Sequence, residues 1–148
     1  MLFFNEPDLK VRKIELERRH GKTQPVLCLP GEIQQVMTNL ISNALDALPT
    51  KGRLIVAVRP GCDHAGCEGV SVADGGQGIS AAMLDRLFRP FVTTKGENGT
   101  GLGLWVSKGI LDKHQSKIAV QSKVGTGTLF RLFLPLDTTV GAHAPLIN

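Results

Sequence analysis

The stretch "QQVMTNLISNALDAL", Gln34 to Leu48, decides the fold because it combines a buried helix face with a polar stripe. Pro30 suits the first turn of this helix, and Glu32 complements the positive charge at its start. Over Gly31 to Leu48 the apolar residues recur at the 3-4-3-4 spacing of one buried face, namely Ile33, Val36, Met37, Leu40, Ile41, Ala44, Leu45 and Leu48.

The polar stripe of the same helix consists of Gln35, Asn39, Asn43 and Asp46, at spacings of four, four and three residues. Asparagine is a poor helix former, so two of them within one helix suggest a functional reason. Amide oxygens are hard neutral ligands that suit Mg²⁺, which takes few protein ligands. Taken alone, the stripe is equally compatible with an ordinary solvated helix face.

The stretch "VADGGQGIS", Val72 to Ser80, places Asp74 at the end of an apolar strand and before a glycine-rich loop. Gly76 and Gly78 permit positive φ angles and the close approach of a flat ligand. A carboxylate repels phosphate but accepts hydrogen bonds from an exocyclic amine, so the loop suits a base such as adenine. An ordinary Asp-Gly turn is the alternative.

Two further glycine motifs follow. "GTGLGL", Gly99 to Leu104, opens a helix, whose backbone N–H groups and positive end favour an anion. It lacks the context of a Rossmann fingerprint or of a P-loop, and a plain helix start is the alternative. "GTGT", which ends at Thr128, predicts a hairpin turn, and the Thr128 hydroxyl can also hydrogen-bond a base or a water molecule.

The remaining patterns predict a mixed order of strands and helices. We expect an α/β (α+β) two-layer sandwich, in which helices cover one face of a mixed β-sheet. The predicted strands are an edge strand in Val11–His20, a short strand in Pro25–Pro30, strands Arg53–Val58 and Gly69–Ala73, and a hairpin of strands in Lys117–Ser122 and Thr128–Leu136. Besides the helix described above, a helix is predicted over Ala81–Phe88, capped by Ser80. Another is predicted over Leu102–His114, with an inward face of Leu102, Trp105, Val106 and Ile110.

Composition indicates a soluble globular domain: 148 residues, 42% hydrophobic and 20% charged, with no apolar run of membrane-spanning length. The net charge of +4 is mild and scattered, so we expect no nucleic-acid surface. Three cysteines, an odd and small number, argue against a disulfide framework and favour the cytosol. The spacing of Cys62, His64 and Cys67 fits no standard zinc pattern.

These motifs occur in an order that resembles the nucleotide-binding ATPase domain of sensor histidine kinases, within the larger family shared with DNA gyrase, Hsp90 and MutL. The resemblance runs from about Lys10 to Pro135 and adds an F box, "LFRPFVTTK", to the N, G1 and G2 boxes and the closing strand. "NALDAL" with "PFVTTK" resembles the nitrogen-regulation sensor subgroup. The family resemblance implies a Bergerat ATP-binding fold over residues 1–136. Residues 137–148 show no pattern, so we expect a flexible tail there.

The resemblance also implies roles for particular residues. Asn43 would coordinate the Mg²⁺ that bridges the ATP phosphates, and Asn39 would lie near those phosphates. Asp74 would accept from the adenine amine, with Thr128 in the adjoining water network. Asn39, Asn43 and Lys95 form the implied catalytic set. The implied nucleotide contacts are Asn39, Asn43, Asp46, Asp74, Gly76, Gly78, Ile79, Thr94, Lys95, Gly99, Thr100, Gly101, Leu102, Gly103, Leu104 and Thr128.

The implied activity is transfer of the γ-phosphate to a histidine on a separate dimerisation and phosphoacceptor domain. Asn39 stands where gyrase and Hsp90 relatives carry a water-activating glutamate, so efficient hydrolysis is not expected. The partners would be ATP, the phosphoacceptor domain and, indirectly, a response regulator, with no nucleic acid or membrane contact. We expect a cytoplasmic monomer, whose parent kinase can be membrane-anchored. A stand-alone serine kinase of the anti-sigma-factor type and a nucleotide-sensing module without transfer activity are the alternatives.

Three departures from the resembled pattern carry expectations of their own. Leu29 stands where relatives often have a capping aspartate, which would weaken the helix start. Gln115 and Ser116 replace a usual Gly-Gly, so we expect a different helix C-cap. Gly75 replaces a usual asparagine, so we expect a loose loop at Gly75–Gly78 in an empty site.

Lys95 lies in the segment Arg89–Asn98, which matches the mobile lid over the nucleotide in the resembled family. If its ammonium group reaches the terminal phosphates, Lys95→Ala weakens binding of ATP more than binding of ADP. Calorimetric titration of both nucleotides measures the difference, and an equal loss for the two would contradict this role.

Overall fold

The computed structural model describes residues 6–48, 50–60, 66–92, 101–136 and 146–147. Within these ranges the helices are α1 (Glu6–Val11), α2 (Pro30–Ala47), α3 (Ala81–Leu84) and α4 (Gly103–Lys113). The strands are β1 (Glu15–His20), β2 (Val26–Leu27), β3 (Arg53–Pro60), β4 (Cys67–Asp74), β5 (Lys117–Lys123), β6 (Gly127–Pro135) and β7 (Leu146–Ile147).

Five of the strands form one mixed sheet in the order β1-β3-β4-β6-β5. The pair β1–β3 is parallel, and the pairs β3–β4, β4–β6 and β5–β6 are antiparallel. The predicted mixed sheet is therefore confirmed, with β1 at an edge as expected. β2 and β7 form a separate antiparallel pair.

The core lies between this sheet and α2, whose predicted face is confirmed. Val36 and Leu40 are fully buried, and Ile41 and Ala44 nearly so. Along each strand of the sheet, every second residue faces this helix, and these inward residues include Leu54, Val72, Phe130 and Leu132. Truncation of such a buried leucine to alanine costs about 2–5 kcal/mol, so this contact contributes strongly to the stability of the domain.

Both ends of α2 are capped by residues distant in sequence. At the start, the Leu29 backbone N–H donates to Nε2 of His114 at 3.0 Å. Nδ1 of His114 lies 2.8 Å from the Ile110 carbonyl, which can only accept, so the ring is neutral with its proton on Nδ1. At the end, Nη2 of Arg12 donates to the carbonyls of Leu45 and Leu48, each at 2.7 Å. No side chain of Leu29 caps this helix, and the contact with His114 holds the helix start through the Leu29 N–H instead.

The inward face predicted for α4 is only partly correct, because Ile110 packs against the core as expected but Trp105 and Val106 do not. Trp105 is 50% exposed and Val106 38% exposed, whereas Ser107 and Leu111 are fully buried. The helix turns Ser107 toward α2, where it accepts a hydrogen bond from Nδ2 of Asn39 at 3.0 Å. The predicted face was derived from the spacing of apolar residues alone. It therefore omitted Ser107, a polar residue that can be buried because it is hydrogen-bonded.

Three smaller corrections concern element ends and cysteines. The third helix ends at Leu84 and continues as turns, rather than extending to Phe88. The tail has no pattern that predicts a strand, yet Leu146–Ile147 pairs with β2. Cys67 is disulfide-bonded, contrary to expectation, and its partner lies outside the described residues.

The C-terminus of α4 keeps the usual cap, so the expectation of a different one is wrong. The Ser116 N–H donates to the Leu111 carbonyl at 2.8 Å, and the Gln115 N–H to the Asp112 carbonyl at 3.1 Å. These bonds form a Schellman motif, in which the first residue past the cap adopts the left-handed conformation. Gln115 does so with φ 55, although it carries a Cβ atom.

We therefore expect Gln115→Gly to stabilise the domain by about 0.5–1 kcal/mol, because glycine adopts this conformation without steric cost. Thermal unfolding should show a higher midpoint. Gln115→Ala is the matched control, because it shortens the side chain and keeps the Cβ atom. A Gln115→Gly variant no more stable than Gln115→Ala would contradict the strain at this position.

Candidate functional site

Asp74 lies at the end of β4, in a row of polar residues that crosses three strands. It is paired with Thr128 of β6, which is in turn paired with Ser122 of β5. Oδ1 of Asp74 accepts the Gly76 backbone N–H at 2.9 Å. Burial raises the pKa of the Asp74 carboxyl, and the Gly76 hydrogen bond partly opposes that rise. The carboxylate is thus held in place and poorly solvated, as suits recognition of a donor group.

The loop after Asp74 is held at both ends, which argues against the expected looseness. The Gly75 N–H donates to the Arg53 carbonyl, and the Gln77 N–H to the Ala47 carbonyl, both at 3.2 Å. The Gln77 carbonyl accepts from Gly125 at 2.9 Å. Gly78 has φ 76 and packs so closely on the Lys123 carbonyl that a Cβ atom would clash. The glycines therefore permit tight packing between this loop and the β5–β6 hairpin.

Asn39, predicted to lie near the phosphates, uses its amide to join α2 to the start of α4. Its Nδ2 donates to the Gly103 carbonyl and to Oγ of Ser107, both at 3.0 Å. Its Oδ1 accepts from Nε2 of Gln35 at 3.2 Å. The side chain is consequently oriented by α4 and by its own helix, so its main action in this structure is to position α4.

Asn43 and Asp46 lie one and two turns further along the stripe. Asn43 is half-buried, and Asp46 is exposed. For the Asn43 amide, no hydrogen-bond partner occurs among the described residues. Asn43 lies one helical turn beyond Asn39, whose amide contacts Gly103 at the start of α4.

The start of α4 contains the described part of the second glycine motif. Gly101 has φ 71 and packs against the Phe91 backbone, where a Cβ atom would come within 2.5 Å. The Gly101 carbonyl accepts the Phe91 N–H at 2.8 Å. Leu102, at the N-cap, has no side-chain oxygen with which to cap the helix, and Leu104 packs against the core. A helix start suits an anionic ligand, because its first backbone N–H groups and the helix dipole point toward it.

Several predicted site residues lie outside the described residues, namely Thr94, Lys95, Gly99 and Thr100. Cys62 and His64 lie outside them as well. Within the described ranges, no group of three or more His, Cys, Asp or Glu side chains could hold a metal ion.

Two residues of the site were missed by sequence reasoning, Ser107 and Ser122. Ser107 is buried and contacts Asn39, whereas Ser122 contacts both Thr128 and the Ile79 backbone. The inward position of Ser122 could have been predicted from the sequence, because Ile118, Val120 and Ser122 occupy every second position of a strand and so share its core-facing side. A hydroxyl at such a position needs a polar partner.

Comparison with known proteins agrees with this geometry. Residues 29–138 match the family described as histidine kinase-, DNA gyrase B-, and HSP90-like ATPase. Sporulation kinase E of Bacillus subtilis (strain 168) is 41% identical over 76% of this chain and 15% of its own length. Sensor histidine kinase ZraS of Escherichia coli (strain K12) is 39% identical over 89% of this chain and 28% of its own.

A solved catalytic domain of the histidine kinase ThkA, in a nucleotide-free form, superposes with a TM-score of 0.75 at 28% identity. The superposition covers 88% of this chain and 84% of that domain. The chain belongs to the histidine kinase-, DNA gyrase B-, and HSP90-like ATPase family. Its matched relatives are sensor histidine kinases, and it corresponds to their ATP-binding catalytic part, which confirms the resemblance.

The half-buried carboxyl of Asp74 should lower stability at neutral pH. Because its pKa is raised by folding, the folded state binds this proton more tightly than the unfolded state. The resulting stability is present at low pH and is lost as pH rises through the raised pKa. We expect Asp74→Asn to unfold at a higher temperature at neutral pH and to lack this pH-dependent loss.

Thermal unfolding across a pH series measures both effects. The same variant should bind ATP at least about tenfold more weakly, since a hydrogen bond to a charged group contributes about 1.5–3 kcal/mol. An Asp74→Asn domain less stable than the wild type at neutral pH would contradict the desolvation argument.

Proposed function

We propose that this domain binds Mg²⁺-ATP and donates the γ-phosphate to a histidine on a separate phosphoacceptor domain of a sensor kinase. The observation that carries the proposal is the junction of α2 and α4. Asn39 contacts Gly103 at the start of α4, and Asn43 lies one turn beyond Asn39 on α2. Asp74 supplies a half-buried acceptor for a base elsewhere in the site. The base and the phosphates of a nucleotide would thus contact different elements of the domain.

In this proposal Asp74 accepts from the adenine amine, and Gly76, Gly78 and Ile79 form the loop beside the base. Gly101, Leu102, Gly103 and Leu104 supply backbone at the phosphates, together with Gly99, Thr100, Thr94 and Lys95 from the segment outside the described residues. The full-length kinase ShkA, solved in complex with AMPPNP, supports an ATP-type ligand because it matches 93% of this chain with a TM-score of 0.77.

The residues present fit a magnesium ion. Mg²⁺ is usually held by one or two protein oxygens together with substrate phosphates and water. Asn43 supplies one neutral amide oxygen, half-buried next to the proposed phosphate position. When bound, the ion would neutralise charge on the phosphates, and Asn43 would orient it.

Transfer to a protein acceptor is favoured over hydrolysis by the identity of residue 39. An amide cannot act as a general base for water. The Asn39 amide is also engaged with Gly103 and Ser107, so its proposed contribution is to position the start of α4. The phosphoryl acceptor must then come from elsewhere.

The described histidines do not fit the acceptor role. His114 is buried and uses both ring nitrogens in hydrogen bonds. His20 lies at the end of the edge strand β1. The chain spans 15–28% of the length of the relatives named above, so a phosphoacceptor domain in the parent kinase is part of the proposal. ThkA itself has been solved in complex with a response regulator.

Location is also a proposal. No helix within the described residues is long and apolar enough to cross a membrane. An ATP-dependent domain of this family would work where ATP is available, so we propose the cytoplasm. We also propose that the isolated domain is monomeric, because dimerisation in the resembled kinases belongs to the phosphoacceptor domain.

Asn43→Ala should weaken the binding of Mg²⁺-ATP by about tenfold or more. Each factor of ten corresponds to ~1.4 kcal/mol of binding free energy. Without Mg²⁺ the variant and the wild type should differ little. Calorimetry with and without the ion checks this, and Ser42→Ala is the matched control because Ser42 is exposed on the same helix. Unchanged affinity with Mg²⁺ in the Asn43→Ala variant would overturn the assignment.

Trp105→Ala should reduce phosphotransfer to the acceptor domain and leave ATP affinity unchanged. Trp105 and Val106 are exposed in the first turn of α4, and Phe91, which is 75% exposed, contacts the preceding Gly101. Such apolar side chains beside a phosphate site suit a docking partner.

Radiolabelled ATP and an added phosphoacceptor domain measure this transfer. Acid-labile label on that domain is expected for phosphohistidine, whereas acid-stable label on a serine would identify the anti-sigma-type kinase instead. Equal loss of ATP affinity and of transfer in Trp105→Ala would place Trp105 in nucleotide binding rather than in docking.

A further inference from the structure

Ser122 lies in the row of polar residues that ends at the proposed base site. Ser122 is paired with Thr128 across β5 and β6, and Thr128 is paired with Asp74 across β6 and β4. Residues directly opposite on antiparallel strands have Cβ atoms about 4.5–5.5 Å apart, so these three side chains share one face in succession.

The hydroxyl of Ser122 has three partners, all at hydrogen-bonding distance. The Ile79 backbone N–H donates to Oγ of Ser122 at 2.8 Å. The Gly127 carbonyl lies 2.9 Å from the same oxygen, and Oγ1 of Thr128 lies 2.8 Å from it. A serine hydroxyl has one proton to donate and two lone pairs to accept, so all of its capacity is used.

The directions of these bonds follow from the chemistry of the partners. A carbonyl oxygen can only accept, so the proton of Ser122 points to Gly127. The Ile79 N–H can only donate, so it occupies one lone pair of Ser122. The remaining contact must then be donated by Thr128. The proton of Thr128 is therefore committed to Ser122.

We infer that Ser122 is a specificity-determining residue, which fixes Thr128 as a hydrogen-bond acceptor and so adapts the site to a 6-amino purine. This inference rests on the proposed nucleotide site. With the Thr128 proton turned away, Thr128 and the Asp74 carboxylate both present lone pairs. An exocyclic amine donates to such groups, directly or through one water molecule, whereas a 6-oxo group repels them.

Loss of the Ser122 hydroxyl releases the Thr128 proton. The Thr128 hydroxyl can then rotate and donate to a 6-oxo purine. Ser122→Ala should therefore reduce the preference for ATP over inosine triphosphate by about three- to tenfold, the effect of one matched hydrogen bond. A residue that only supported the loop would alter affinity for both nucleotides by the same factor.

Calorimetric dissociation constants for ATP and inosine triphosphate test this in the intact chain. Ser122→Thr keeps the hydroxyl and should retain the wild-type ratio. Ser122→Cys is a second removal of the hydroxyl at nearly constant size, for use if Ser122→Ala does not fold. Thermal unfolding of each variant identifies those that are folded.

Thr128→Val provides the decisive partner variant. Because Ser122 acts through Thr128, the double variant Ser122→Ala, Thr128→Val should show the same nucleotide ratio as Thr128→Val alone. Additive effects of the two substitutions would contradict the inference, as would an unchanged ratio in Ser122→Ala. A wild-type domain that bound neither nucleotide would instead refute the proposed function, so the two failures are distinguishable.

Discussion

The contact between α2 and α4 is the constraint on which the site depends. Three polar links join the helices: Asn39 with Gly103 and Ser107, His114 with Leu29, and Lys113 with Glu32 at 2.8 Å. The first two are buried or half-buried, where loss of one partner costs about 1–3 kcal/mol. The exposed ion pair contributes about 0–1 kcal/mol. The amide and imidazole contacts therefore set the relative position of the two helices.

That constraint keeps the two halves of the site on different structural supports. The proposed base half belongs to the ends of β4, β5 and β6, and it is held by strand pairing and by the glycine-rich loop. The proposed phosphate half belongs to helix ends, where neighbouring segments contribute through Gly101 and Phe91. Two separate supports suit the proposed function, in which the domain binds ATP and then presents it to another protein.

Much of this arrangement could be predicted from local patterns. The apolar face of α2, the Ser80 cap and the hairpin before Thr128 depend on residue types at fixed spacing, whereas the roles of Asp74 and Asn43 remain predictions. Ser80 accepts from Met83 as expected for an N-cap. The order of the motifs then identified the family, because independent short motifs in one sequence restrict the fold far more than any one of them.

The features that escaped prediction depend on residues distant in sequence. The orientation of α4 follows from the hydrogen bond between Asn39 and Ser107, which are separated by 68 positions. The N-cap residue of α2, Leu29, donates its backbone N–H to His114, 85 positions away. Gln115 in a left-handed conformation keeps the cap that glycine normally provides. In each case a tertiary contact or tolerated strain replaced the residue type that a local rule expects.

The burial of Asp74 has an evolutionary consequence. Because its ionised carboxyl opposes folding, selection for a stable fold alone would favour its replacement by a neutral side chain. In the proposed function its retention is attributable to binding of the base. Replacement of Asp74 by a neutral residue would then remove nucleotide binding without destabilising the fold, so that activity could be lost in a single step while the domain stays folded.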